Sequence, residues 1–149
     1  MRNATLPILL VLLLQAAIPL AAWGGGRVYH TSVVAQVVRV HDGDILTVTV
    51  RGWPALVSPI QFRLAGIDAP ELRDVRPAIQ SVAILARDWV AAHLRPGDTV
   101  TLRKVRRDKY FRALGDIEAV VDGDARDVAS ELLRRDLARP YSGRGPKPW

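Results

Sequence analysis

The stretch VVAQVVRVHDGDILTVTV, residues 33–50, reads as strand, turn and strand. Val34, Gln36, Val38 and Val40 form one alternating face. Val33, Ala35, Val37 and Arg39 form the other. A period of two over a β-branched run is a strand signal. Asp42-Gly43-Asp44 then supplies turn chemistry, and Ile45 to Val50 resumes the β-rich run. The two runs make a hairpin.

Downstream, Gly52, Pro54 and Pro59 mark Arg51 to Pro59 as a loop. Ile60 to Leu64 alternates again, as a third strand, and Gly66 to Pro70 breaks it. Pro77 to Leu94 has no Gly and no internal Pro. Its apolar residues Val82, Leu85, Ala86, Trp89, Val90 and Leu94 fall at helical spacing. This is an amphipathic helix, and Trp89 belongs to its core face. Pro96-Gly97-Asp98 stops it. Val100 to Val105 and Ala113 to Val121 are the fourth and fifth strands, the last closed by the plain hairpin turn Asp122-Gly123-Asp124. Asp127 is an N-cap for a short helix, Val128 to Arg135. The chain is expected to be an α+β protein: a five-stranded OB-type Greek-key β-barrel with two or three helices, over residues 33–141. Residues 142–149, rich in Gly, Pro and Arg, are expected as a flexible tail.

Upstream, Leu6 to Trp23 is almost wholly apolar, with Arg2 before it and Gly24-Gly25-Gly26 after it. Residues 1–24 read as a signal peptide or an N-terminal membrane anchor, and 25–32 as a linker. With the positive charge on the N-terminal side, the remainder is expected outside the cytoplasm. It would be periplasmic or secreted, or anchored to the outer face of the inner membrane.

The 149 residues are 49% hydrophobic and 24% charged, an ordinary globular balance that excludes whole-chain disorder. There is no cysteine, so disulfide scaffolds, thiolate metal sites and cysteine nucleophiles are excluded. The three histidines form no metal-ligand pair, which argues against catalytic zinc. The formal charge is +6, which favours a polyanionic partner.

Three segments concentrate the chemistry: Asp42-Gly43-Asp44, Arg63-Leu64-Ala65-Gly66-Ile67-Asp68-Ala69-Pro70-Glu71, and Asp108-Lys109-Tyr110-Phe111-Arg112. Asp44 and Asp68 offer carboxylate oxygens from two loops, a partial shell for Ca²⁺. Glu71 is the candidate general base or water-orienting residue. Arg63 and Arg112 are forked, permanently charged donors suited to phosphate. The run Arg103 to Lys109 is a basic loop that could track a phosphate backbone. Tyr110 and Tyr141 could stack on a base or ribose. His41, beside Asp42, reads as a surface histidine at a strand end.

The order and context of these segments resemble the staphylococcal-nuclease-like (thermonuclease) family, over Val33 to Tyr141. The resemblance implies a Ca²⁺-dependent nuclease that hydrolyses phosphodiester bonds of DNA and RNA. Its substrate would be nucleic acid, with single strands preferred, and its products would carry 5′-hydroxyl and 3′-phosphate ends. It implies that Asp44 and Asp68 bind calcium, with the Ala69 carbonyl as a further ligand. It also implies that Glu71 activates water and that Arg63 and Arg112 hold the phosphate and its transition state. Lys109, Tyr110 and Tyr141 are the expected substrate contacts. Two positions depart from the family pattern: Ile45 where Thr is usual, and Phe111 where Gly is usual. They support an alternative, an OB-type module in the cell envelope that binds nucleic acid with impaired cleavage. A third reading is an anchored protein whose Arg-rich face meets anionic lipid. No protein partner is expected; membrane anchoring would run through the N-terminal segment.

Overall fold

The computed structural model describes residues 32–50, 59–108 and 112–149. The N-terminal apolar segment, most of the linker, the loop as far as Ser58, and Lys109, Tyr110 and Phe111 lie outside the described residues.

Eight strands and two helices are described: β1 (Val33–Val40), β2 (Ile45–Val50), β3 (Ile60–Leu64), β4 (Ile67–Asp68), α1 (Pro77–His93), β5 (Thr99–Arg107), β6 (Ala113–Val121), β7 (Asp124–Asp127), α2 (Val128–Arg134) and β8 (Arg139–Pro140). The main sheet runs β3-β2-β1-β5-β6-β7. It closes because β3 also pairs with β6, in parallel, with Phe62 opposite Ala113 and Arg63 opposite Leu114. The result is the expected five-stranded barrel. The short strands β4, β7 and β8 are additions that the alternation of so few residues does not reveal.

Alternation decides which side chains fill the barrel. Leu46, Val48 and Val50 of β2 point inward while Ile45, Thr47 and Thr49 do not. On β1 the face carrying Ala35 and Val37 is the buried one. With Phe62, Leu64, Leu102 and Ile117 they form a continuous core. Each buried Val, Leu, Ile or Phe side chain among them contributes about 1.5–3 kcal/mol by leaving water. The barrel closes tightly at Gly115, where a Cβ would lie 2.5 Å from the Arg103 carbonyl and 3.0 Å from the Phe62 ring. That approach coincides with a β-bulge in β5, where the register with β6 shifts between Arg103 and Arg106 and Lys104 takes φ 49°.

Helix α1 begins on Pro77, whose missing N–H costs nothing at a first helical position. It lays Ala83, Ala86 and Val90 against the barrel. Its Trp89 ring is half-buried between the stacked His93 ring and the Arg135 guanidinium. Helix α2 has the expected cap: the Asp127 carboxylate accepts the Ser130 N–H at 2.7 Å. Its Glu131 is buried against Arg126, Arg134 and Arg135, and the Arg134 hydrogen bond, then the neighbouring arginines, hold the carboxyl below its ordinary range.

The two Asp-Gly-Asp turns work differently. At Asp122-Gly123 both residues take positive φ, 53° and 89°, the geometry of a two-residue hairpin. At Gly43 the constraint is space. A Cβ there would lie 2.7 Å from Ala86 Cβ and 2.9 Å from Ala69 Cβ. Gly43 therefore lets the β1–β2 turn press between α1 and the loop after β4, and so brings Asp44 to Ala69.

Candidate active site

Asp44 ends the β1–β2 turn and Asp68 ends β4, so each carboxylate projects from a connection fixed by strands on the barrel rim. Their exposures are 3% and 1%. Arg63 leaves β3 beside them, and its register neighbours are Ile45 on β2 and Leu114 on β6. The Arg63 Nη2 atom lies 2.8 Å from Asp44 Oδ2 and 2.7 Å from Asp68 Oδ1. Asp44 Oδ2 also accepts the Ala69 N–H, at 3.4 Å.

Two buried carboxylates thus share one guanidinium. Burial pushes the Asp44 carboxyl up to about 6, against the opposing effects of Arg63 and the Ala69 N–H. Arg63 itself loses hydration, yet Asp44 and Asp68 raise its affinity for the proton further. Asp42, on the same turn, is raised by burial and then by the Glu71 charge. His41 is engaged locally, with its Nε2 2.7 Å from Thr47 Oγ1.

Glu71 follows the same loop and is exposed. Its Oε1 lies 2.6 Å from Lys147 Nζ, which is also 3.7 Å from Asp68 Oδ1. Arg112 immediately precedes β6. Asp108 accepts both its backbone N–H, at 2.9 Å, and its Nε–H, at 2.8 Å. Extending the parallel register of β3 and β6 by one residue sets Arg112 opposite Gln61. Tyr141 is half-buried. Its backbone N–H donates to the Gly66 carbonyl, and its hydroxyl donates to the Gly145 carbonyl at 3.1 Å. Lys109 and Tyr110 are outside the described residues.

The structure therefore gathers Arg63, Asp44, Asp68, Ala69 and Glu71 at one place. It adds residues to which the sequence reading gave no chemical role. Asp42 reads as a turn residue from its neighbours. Lys147 and Trp149 sit in a segment whose Gly and Pro content reads as loose. The available signal was a tryptophan directly after Pro146-Lys147-Pro148, an unusual residue for a solvated segment.

The arrangement fits a hard divalent cation. Asp44 Oδ2 and Asp68 Oδ1 face Arg63, while Asp44 Oδ1 and Asp68 Oδ2 accept no hydrogen bond among the described residues. Two free carboxylate oxygens beside a charge deficit suit Ca²⁺, which completes its shell with carbonyls, water and ligand oxygens. No group of three or more His, Asp or Glu among the described residues forms a ready cage. Arg63 ion-pairs through Nη2. Its Nε and Nη1 make no hydrogen bond among the described residues and are directed donors for an anion.

Residues 61–147 match the family described as staphylococcal nuclease homologue. A protein called probable endonuclease lcl3 from Aspergillus terreus is 31% identical over 137 residues, covering 76% of this chain and 46% of the relative. Its namesake in Neosartorya fischeri matches with the same identity and coverage. That of Emericella nidulans is 30% identical over 138 residues, covering 76% of this chain and 49% of the relative. The chain spans about half the length of these curated relatives.

Proposed function

Because the chain belongs to the staphylococcal nuclease homologue family, we propose that it is an exported Ca²⁺-dependent nuclease that hydrolyses phosphodiester bonds of DNA and RNA. The observation that carries this is the convergence of Asp44 and Asp68 on Arg63, with Glu71 on the same loop. An apolar leader preceded by Arg2 supports export.

Asp44 and Asp68, with the Ala69 carbonyl, would hold the cation, which when bound neutralises charge on a phosphate oxygen. Arg63 offers its remaining donors to the phosphate and stays charged at every accessible pH. Arg112, held by Asp108, would add a second forked donor. Glu71 is exposed, so water reaches it. It takes the proton of a water that attacks phosphorus in line with the leaving oxygen. The arginines stabilise the charge that develops on the equatorial oxygens. Tyr141 and the basic residues of β5 favour a flexible single strand on the open rim, with Lys109 and Tyr110 as neighbours in sequence.

The test is incubation of the full-length protein with labelled single-stranded DNA in Ca²⁺ and in EGTA. Cleavage in Ca²⁺ that stops in EGTA is the expected result. Retardation of the DNA in a gel with no cleavage in either would instead support a nucleic-acid-binding module.

A further inference from the structure

The segment after β8 does not leave the barrel. It returns over the loop that carries Asp68 and Glu71, and three contacts seat it. The Tyr141 N–H binds the Gly66 carbonyl at 2.9 Å. The Trp149 indole N–H donates to the Asp68 carbonyl at 2.8 Å. The Arg139 guanidinium lies 4.0 Å from the centre of the Trp149 ring, and its Nη1 donates to the Pro148 carbonyl.

The Asp68 carbonyl belongs to the same peptide unit as the Ala69 N–H, and that N–H points at Asp44 Oδ2. One peptide plane is therefore held from both ends, by Trp149 on its oxygen and by Asp44 on its nitrogen. That plane links the backbone of Asp68 to the Asp44 carboxylate. The same strap delivers Lys147 to Glu71 at 2.6 Å. An exposed ion pair on two free side chains holds little. Here Tyr141 and Trp149 have already fixed the backbone on either side of Lys147, so less freedom is lost in making it.

We propose that residues 141–149 are a working strap of the site, in which Trp149 positions the Asp68–Ala69 peptide and Lys147 positions Glu71. The inference rests on the nuclease reading above. It assigns two positioning residues to a segment that composition marks as a tail.

The test uses the full-length protein, with Ca²⁺ binding followed by calorimetry and single-stranded DNA cleavage followed by kcat and KM. Trp149→Phe keeps a ring under Arg139 and loses the N–H. It is expected to weaken Ca²⁺ binding about 10-fold, the scale of an outer hydrogen-bond partner. Lys147→Met is expected to leave Ca²⁺ binding within about twofold and KM unchanged while kcat falls about 10-fold. Lys147→Arg should restore most of that kcat, which a merely structural contact would not require. Wild-type Ca²⁺ affinity in Trp149→Phe, or a kcat at or above wild type in Lys147→Met, overturns the proposal. Should Trp149→Phe fail to fold, the Lys147 pair alone decides. A wild-type protein that neither binds Ca²⁺ nor cleaves DNA would instead sink the nuclease reading, so the two failures are distinct.

Discussion

Asp44 is ion-paired to Arg63 at 2.8 Å, and its carboxyl is nonetheless pushed up to about 6. Burial outweighs the pair, and the charge of Asp68 nearby adds to the rise. The folded protein therefore binds the Asp44 proton more tightly than the unfolded chain does. That contribution to stability is fully present below the ordinary carboxyl value of 3.8 and is lost as pH rises through about 6. At neutral pH the group is ionised. Ca²⁺ affinity is expected to be level above pH 7 and to fall about tenfold per unit below pH 6, as one proton competes with the metal. Calorimetric titration between pH 5 and 8 checks this. An affinity flat across that range would be the contrary result.

Arg63→Met removes the only cation that touches both carboxylates among the described residues. Breaking a buried pair in this way costs about 3–5 kcal/mol. The loss should be largest in EGTA at pH 7.5 and smaller at pH 5, where Asp44 takes up its proton. Urea unfolding in both buffers, with and without Ca²⁺, measures it.

Gly43→Ala introduces a methyl where Ala86 and Ala69 leave no room. Neither neighbour is the far end of a flexible side chain, so helix or loop must move. A loss of about 1–3 kcal/mol is expected, with weaker Ca²⁺ binding because Asp44 follows Gly43. The same change at Gly123 meets open space but a φ of 89°. It should lower the melting temperature through backbone strain and leave Ca²⁺ binding intact. Thermal melts and metal titrations of the two variants separate packing from turn geometry.

The barrel was legible because its strands alternate over five to nine residues and its helix repeats at 3.6. Arg63, Asp44, Asp68 and Glu71 were legible as candidates because the order of their motifs resembles the staphylococcal-nuclease-like family; taken singly, each reads as an ordinary turn or surface charge. What Gly43 does was not legible. Asp42-Gly43-Asp44 and Asp122-Gly123-Asp124 are the same tripeptide, and only the structure shows that one answers to neighbours and the other to φ. Strands β4 and β8 are two residues each, too short to show a period. The strap escaped for another reason. Trp149 finds Asp68 across most of the domain, and Arg139 finds Trp149 across a turn, contacts that depend on the closed barrel beneath them.

The most direct measurement is single-turnover cleavage of single-stranded DNA by wild type and Glu71→Gln, in saturating Ca²⁺ with matched DNA binding. Glu71→Gln keeps the size of the side chain and a hydrogen bond to water, and loses the base. A general base is worth about 10²–10⁴ in rate, so a fall of that order with unchanged Ca²⁺ and DNA affinity is expected. A Glu71→Gln protein that cleaves at the wild-type rate would contradict the assignment of Glu71 and the mechanism built on it.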